Sequence, residues 1–179
     1  MNRKLLKLTA LLLILAVALA SSCKQKEPKP QELKQEEPVI NYPIEVPFTE
    51  LELETQCKWI NLNYPWPIYD AELTIVNPEF IIINNDEELK DYINCSNGNY
   101  PEIDFSKHTL LLVNGHTTNC INKISKHLLQ LSIDKYKLDI EIILDDTTHG
   151  HPWVVALIVN KINKRSNVEL NVTLIRGLP

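Results

Sequence analysis

The chain has 179 residues, with 18 Lys and Arg against 23 Asp and Glu, a formal charge of −5, and 44% hydrophobic residues. An acidic balance of this kind excludes the electrostatic footprint of a nucleic-acid binder and disfavours an anionic membrane surface as a partner. The length allows one modest core, and no internal repeat is visible.

The first segment carries Arg3, Lys4 and Lys7, then an apolar run over residues 8–19 broken only by Thr9. This is the layout of a secretory signal, and the run is shorter than the ~20 residues that span a bilayer. Leu19-Ala20-Ser21-Ser22-Cys23 closes it and resembles a bacterial lipobox, where a precursor is lipidated on the cysteine and cut before it. The alternatives are a signal cut for simple release and an uncleaved anchor. On the lipobox reading residues 1–22 are a signal peptide and Cys23 carries a diacylglyceryl thioether with a further amide-linked chain such as palmitate. At ~0.8 kcal/mol per buried CH2, two or more acyl chains hold a protein on a membrane where one does not. The expected location is the cell envelope, anchored to the outer membrane on its periplasmic or outer side. Loss of residues 1–22 removes three basic residues and no acidic ones, leaving 15 against 23 and a formal charge of −8.

Residues 23–56 read as a tether. Five of the eleven prolines fall there, among Lys, Glu and Gln, and apolar residues are sparse before Val39. Such a composition does not bury enough surface to offset chain entropy. About 30 extended residues reach up to ~100 Å. Lys26-Glu27 near the lipidated end resembles the charged signals that send some lipoproteins to the cell surface; a solvated tether explains it as well.

A single domain is expected over 57–179. Short strands are predicted at 57–62 and 71–76, around Asn63-Tyr64-Pro65-Trp66-Pro67, whose prolines forbid regular pairing. Phe80-Ile81-Ile82-Ile83 is a stronger strand. Asn85, with Glu88 three residues on and acidic residues in the first turn, starts a helix with Leu89, Tyr92 and Ile93 on one face, and Ser96-Asn97-Gly98-Asn99 stops it. The continuous apolar run at 109–113 predicts a strand covered on both faces. Residues 121–128 fit neither period well, with strand favoured over a short helix. Leu129, Leu131 and Ile133, then Tyr136, Leu138, Ile140, Ile142 and Leu144, alternate across a two-residue gap and predict a hairpin with one apolar face. Residues 153–159 predict another buried strand, and Val168, Leu170, Val172 and Leu174 a final alternating one. The sum is an α+β fold: a mainly antiparallel twisted sheet, closing as a barrel or a sandwich, with one helix packed on it.

With Cys23 lipidated, Cys57, Cys95 and Cys120 remain. In an exported protein two of the three pair, and sequence allows three pairings. Cys57 with Cys95 is favoured, because it ties the entry of the domain to the end of the helix; Cys120 is then a free thiol.

Three stretches carry a resemblance: Glu87-Glu88-Leu89-Lys90; Ile103-Asp104-Phe105-Ser106-Lys107-His108 with the apolar strand and Gly115 after it; and Pro152-Trp153-Val154-Val155-Ala156-Leu157. In this order they resemble a group of small Bacteroidetes lipoproteins of unknown function. More distantly, residues 78–160 resemble the C-terminal domain of the protease-complex-associated (PrcB-like) lipoprotein family, which implies a module that binds and stabilises a partner protease. The closer resemblance implies the same Cys57–Cys95 pairing, with Cys120 a departure.

Candidate chemistry is thin. His149-Gly150-His151, after Asp145 and Asp146, is a metal-like arrangement in a polar connection where solvated His and Asp are the commoner explanation. Cys120 with His116 or His127 has the elements of a thiol nucleophile but no surrounding motif, and no G-x-S-x-G elbow occurs. No catalytic residue, cofactor or resident metal is assigned. Asp146-Thr147-Thr148 resembles a short bacterial O-glycosylation signal, with Thr147 as acceptor. Tyr64, Trp66 and Tyr69 are candidate binding residues, because exposed aromatics anchor a protein partner or stack on sugar, although core packing is the commoner fate of such side chains. The expected function is a non-enzymatic, lipid-anchored module binding another protein, with a carbohydrate-binding accessory role as the alternative. On this reading Cys23→Ala moves the protein from the membrane pellet to the soluble fraction; continued pelleting on fractionation contradicts the anchor.

Overall fold

The computed structural model describes residues 41–69, 74–75, 77–147, 149–163 and 166–176. The signal segment, Cys23, the Lys26-Glu27 pair and the tether as far as residue 40 lie outside them. Most of the predicted 71–76 strand does too: only Thr74–Ile75 is described there, paired with Ile68–Tyr69.

The twelve described strands in chain order are β1 (Ile44–Glu45), β2 (Phe48–Glu50), β3 (Cys57–Trp59), β4 (Ile68–Tyr69), β5 (Thr74–Ile75), β6 (Glu79–Ile83), β7 (Ile93–Cys95), β8 (His108–His116), β9 (Ile121–Ser132), β10 (Lys135–Leu144), β11 (Pro152–Asn160) and β12 (Asn167–Arg176), with helix α1 (Asp86–Tyr92) between β6 and β7. Two four-stranded sheets, ordered β1-β9-β10-β12 and β2-β11-β8-β6, dominate the fold. Their facing sides share one core: Leu111, Val113, Trp153, Val155 and Leu157 from the second sheet meet Leu128, Leu138, Ile140, Ile142 and Leu144 from the first. The other side of the second sheet buries Leu110, Leu112 and Ala156 against Leu89, Ile93, Cys95 and Ile103. The result is an α+β sandwich-like fold with the second sheet in the middle, and among the described residues the sheets do not close into a barrel. β8 is therefore covered on both faces, as its apolar run predicts, and Thr109 through Gly115 are all buried.

Folded structure begins before the expected boundary at residue 57. β1 and β2 sit at one edge of each sheet, and Val46 and Phe48 pack against the shared core. Prolines at 43 and 47 gave this stretch the look of tether, but the apolar residues between them are enough to turn the chain from one sheet into the other. Lys126 closes the same edge. It points inward opposite Ile140, and its Nζ lies 2.7 Å from both carboxylate oxygens of Glu50 in the other sheet.

The helix starts as predicted. Asn85 Oδ1 accepts from the Glu88 backbone N–H at 2.8 Å, while the Glu88 carboxylate reaches back to the Asn84 N–H at 2.7 Å, a reciprocal cap. It ends sooner than predicted, at Tyr92, because residues 93–95 form β7 against β3. That ladder sets Cys57 opposite Cys95, and the two form a disulfide. Residues 96–99 are thus the turn after β7 rather than the helix stop.

The hairpin of β9 and β10 exists, and residues 121–128 belong to its first strand, but its register differs from the predicted one. Lys135 faces Ser132 and Tyr136 faces Gln130, so Leu131 is an extra residue, a β-bulge that inverts the phase of β9. Leu128 rather than Leu129 enters the core, and Ile133 sits at the turn, 74% exposed. β12 departs from antiparallel order: it pairs with β10 in parallel over ten positions, because β11 crosses through the opposite sheet between them. Among the described residues no helix is long and apolar enough to cross a membrane. Truncation should separate the two kinds of leucine-like position: Leu111→Ala costs about 2–5 kcal/mol in urea unfolding, whereas Ile133→Ala stays within about 0.5 kcal/mol.

Candidate functional site

One end of the sandwich gathers most of the chemistry-bearing residues. Its base is Asn114, fully buried near the end of β8. A buried amide must find partners, and Asn114 finds them in the 63–67 loop and in β6. Its Oδ1 accepts the Tyr64 backbone N–H at 3.1 Å, and its Nδ2 donates to Glu79 Oε2 at 2.9 Å. Glu79 in turn accepts from the Asn63 backbone N–H at 3.1 Å and from Asn63 Nδ2 at 2.6 Å. Two residues further along β8, where β6 no longer supplies a ladder, Pro65 O accepts the His116 N–H at 3.0 Å. The proline-broken loop therefore continues the sheet in place of a strand.

This docking holds Tyr64 at φ 45°, in the left-handed region. For a bulky residue such a conformation costs of order 1–3 kcal/mol and persists only where its surroundings impose it. Here the Asn114 and Glu79 bonds impose it. Burial opposes the charged form of Glu79, but the hydrogen bonds from Asn114 and Asn63 outweigh it and hold the carboxyl below its ordinary value of 4.5. Tyr64 is half-buried, and burial pushes its phenol up.

Trp66 is the residue the loop presents. It is 59% exposed, yet its ring stacks on His116 with centroids 3.5 Å apart and planes 24° from parallel. His116 is fixed from behind: its Nδ1 lies 2.7 Å from Thr117 O. A carbonyl acceptor assigns the proton to Nδ1. The 145–151 loop closes the other side, where Thr117 N–H donates to His151 O at 3.0 Å. At Gly150 a side chain has no room, since an added Cβ would lie 2.2 Å from Thr117 O and 3.0 Å from the His116 ring.

The other candidates fall as follows. The Tyr69 side chain lies outside the description, although its backbone is in β4. Thr147 is exposed, but its hydroxyl is engaged, donating to Asp145 and accepting from the Cys120 N–H at 3.3 Å. The Thr147 hydroxyl and backbone N–H both donate to Asp145 Oδ1 and hold its carboxyl below the usual range. His149 and His151 are exposed on either side of Gly150, and among the described residues no group of three or more His, Cys, Asp or Glu is placed to hold a metal ion. Cys120 is a half-buried free thiol. His127 lies seven residues along the chain on β9, about 20 Å away at strand rise, and His116 is committed to Trp66 and Thr117. Among the described residues no hydrogen bond joins Cys120 Sγ to either imidazole.

Sequence reading missed Asn63, Glu79 and Asn114. The available signal was Asn114 itself, a polar residue inside a run otherwise buried on both faces. The chain matches no protein-family model, and no curated protein or solved structure shows significant similarity to it.

The Glu79 network makes a pH prediction. A carboxylate whose folded-state value is depressed stabilises the fold above its unfolded value and loses that contribution as pH falls through the folded value. Stability should therefore decline from about 4.5 downward, and Glu79→Gln should flatten that part of the profile in urea titrations. An unchanged profile removes Glu79 from its role.

Proposed function

We propose that the protein is a non-enzymatic, lipid-anchored envelope module that binds another protein through the Trp66 end of the sandwich. The observation that carries the reading is the exposure of Trp66 on a rigid support. Tryptophan is among the commonest binding hot-spot residues, and a pre-fixed ring loses little entropy on binding. His116 fixes one face of the ring, and the Asn63, Glu79 and Asn114 bonds fix its loop.

The polar groups of this end support a protein ligand over a sugar. A sugar needs free donors and acceptors beside the stacking ring. Asn63, Glu79, Asn114, Thr147 and Asp145 are already bonded to one another or to backbone. The lipobox at Cys23 and the tether place such a module on the outer membrane, able to reach a partner at some distance. The PrcB-like resemblance suggests a protease complex as the class of partner. A carbohydrate-binding accessory role is the second reading, favoured by the open outer face of the Trp66 ring.

Pull-down from envelope extract and a glycan array separate the two. The first reading expects a stoichiometric protein partner, a blank array, and binding weakened at least tenfold in Trp66→Ala, equal to about 1.4 kcal/mol. Binding untouched by Trp66→Ala, or array hits without a protein partner, contradicts it.

A further inference from the structure

Each sheet has two edges, and the chain treats them unequally. β1, β2 and β6 are edge strands of two, three and five residues. Each is immediately preceded by a proline: Pro43, Pro47 and Pro78. Shortness and proline are standard protections against edge-to-edge pairing. β12, the remaining edge, has neither. It runs ten residues without a bulge or a proline, carries no lysine, and among the described residues is paired only on its β10 side.

Its inner row is also incompletely covered. Leu138, Ile140, Ile142 and Leu144 of β10 are buried, whereas their β12 partners or near neighbours Val168, Leu170, Val172 and Leu174 are half-buried. We infer that β12 pairs antiparallel with β12 of a second copy of this chain, joining two four-stranded sheets into one of eight.

Self-pairing is the occupant the strand itself specifies. A two-fold axis perpendicular to the sheet keeps the even-numbered apolar residues of both copies on the core side and the odd-numbered ones on the solvent side. With the axis at Asn171, Val172 or Thr173, near the strand centre, the outer row sets Glu169 opposite Thr173 in the first case and Ile175 in the second, and opposite no residue of β12 in the third. In none of these registers do like charges oppose each other within the outer row 167–175, because Glu169 is its sole charged residue. The chain enters the sheet at β1, the opposite edge, about 14 Å away at strand spacing. The surface is distinct from the Trp66 end, so the inference does not rest on the function proposed above.

Sedimentation equilibrium of the full chain in detergent tests it, with Glu169→Gln/Asn171→Lys/Thr173→Lys as the variant. All three positions face solvent; the first change removes the carboxylate that would pair with a lysine at position 173 when the axis lies at Asn171, and in each central register the new lysines oppose one another, which weakens cross-strand pairing. The wild type is expected to be dimeric and the variant to dissociate at least about tenfold more readily with an unchanged circular dichroism spectrum. In a Cys120→Ser background, the double variant Asn171→Cys/Thr173→Cys should form an intermolecular disulfide, because each central register sets one of these positions opposite the other or opposite itself. A monomeric wild type, a dimer indifferent to the lysines, or an absence of cross-links at both positions overturns the proposal.

Discussion

Strand β8 runs through the domain with both faces covered, so every polar group it carries must be satisfied inside the protein. At one end Thr109 is bonded to Asn84 and accepts the Ile162 N–H. At the other, Asn114 recruits Tyr64 and Glu79. These two demands organise what surrounds the strand: the first ties β8 to the start of the helix and to the chain after β11, and the second fixes the loop that carries Trp66. The middle layer, its helical cover and the candidate site are thus consequences of burying seven consecutive residues of one strand, Thr109 through Gly115. Gly115, between Asn114 and His116, fits the same constraint, because the Trp153 ring would lie 2.8 Å from any Cβ there.

Local contacts that share residues hold the platform at this end. Stacking fixes the Trp66 ring, a carbonyl fixes His116, and a strained Tyr64 backbone is held by side chains from two strands. Asn63, Glu79, Asn114, Asp145 and Thr147 already spend their polar groups on one another or on backbone, which is why we propose a protein surface rather than a sugar as the ligand of this end. The disulfide lies elsewhere, between β3 and β7, where it ties the chain before the loop to the segment after the helix. The β12 edge is a second and separate surface, differing from the first in kind: one offers a side-chain anchor, the other a row of backbone donors and acceptors.

Local signals were legible in the sequence, and long-range ones were not. The Asn85 and Glu88 cap, the doubly buried run of β8 and the alternation of β10 and β12 each depend on neighbours a few residues apart, and each is where the pattern placed it. The pairing of Cys57 with Cys95 also follows the expected bridge, although Cys95 sits on a strand. The bulge at Leu131 was invisible because the alternation of Leu129, Leu131 and Ile133 is regular; only the competing burial of Leu128 against Leu138 reverses it. The parallel pairing of β10 with β12 depends on β11 entering the other sheet, which alternation does not encode. β1 and β2 were hidden in a proline-rich composition. At the site, Trp66 was identifiable as an aromatic in a broken loop, but its exposure depends on Asn114 and Glu79, 48 and 13 residues away.

The central claim is that Trp66 is a presented contact residue rather than a misplaced core side chain. A photo-crosslinking amino acid placed at position 66 in the full chain, with the still more exposed position 133 as control, tests it in intact cells. The account predicts one discrete protein adduct from position 66 and none in common with position 133. The same adducts from both positions, or none from position 66, would contradict it.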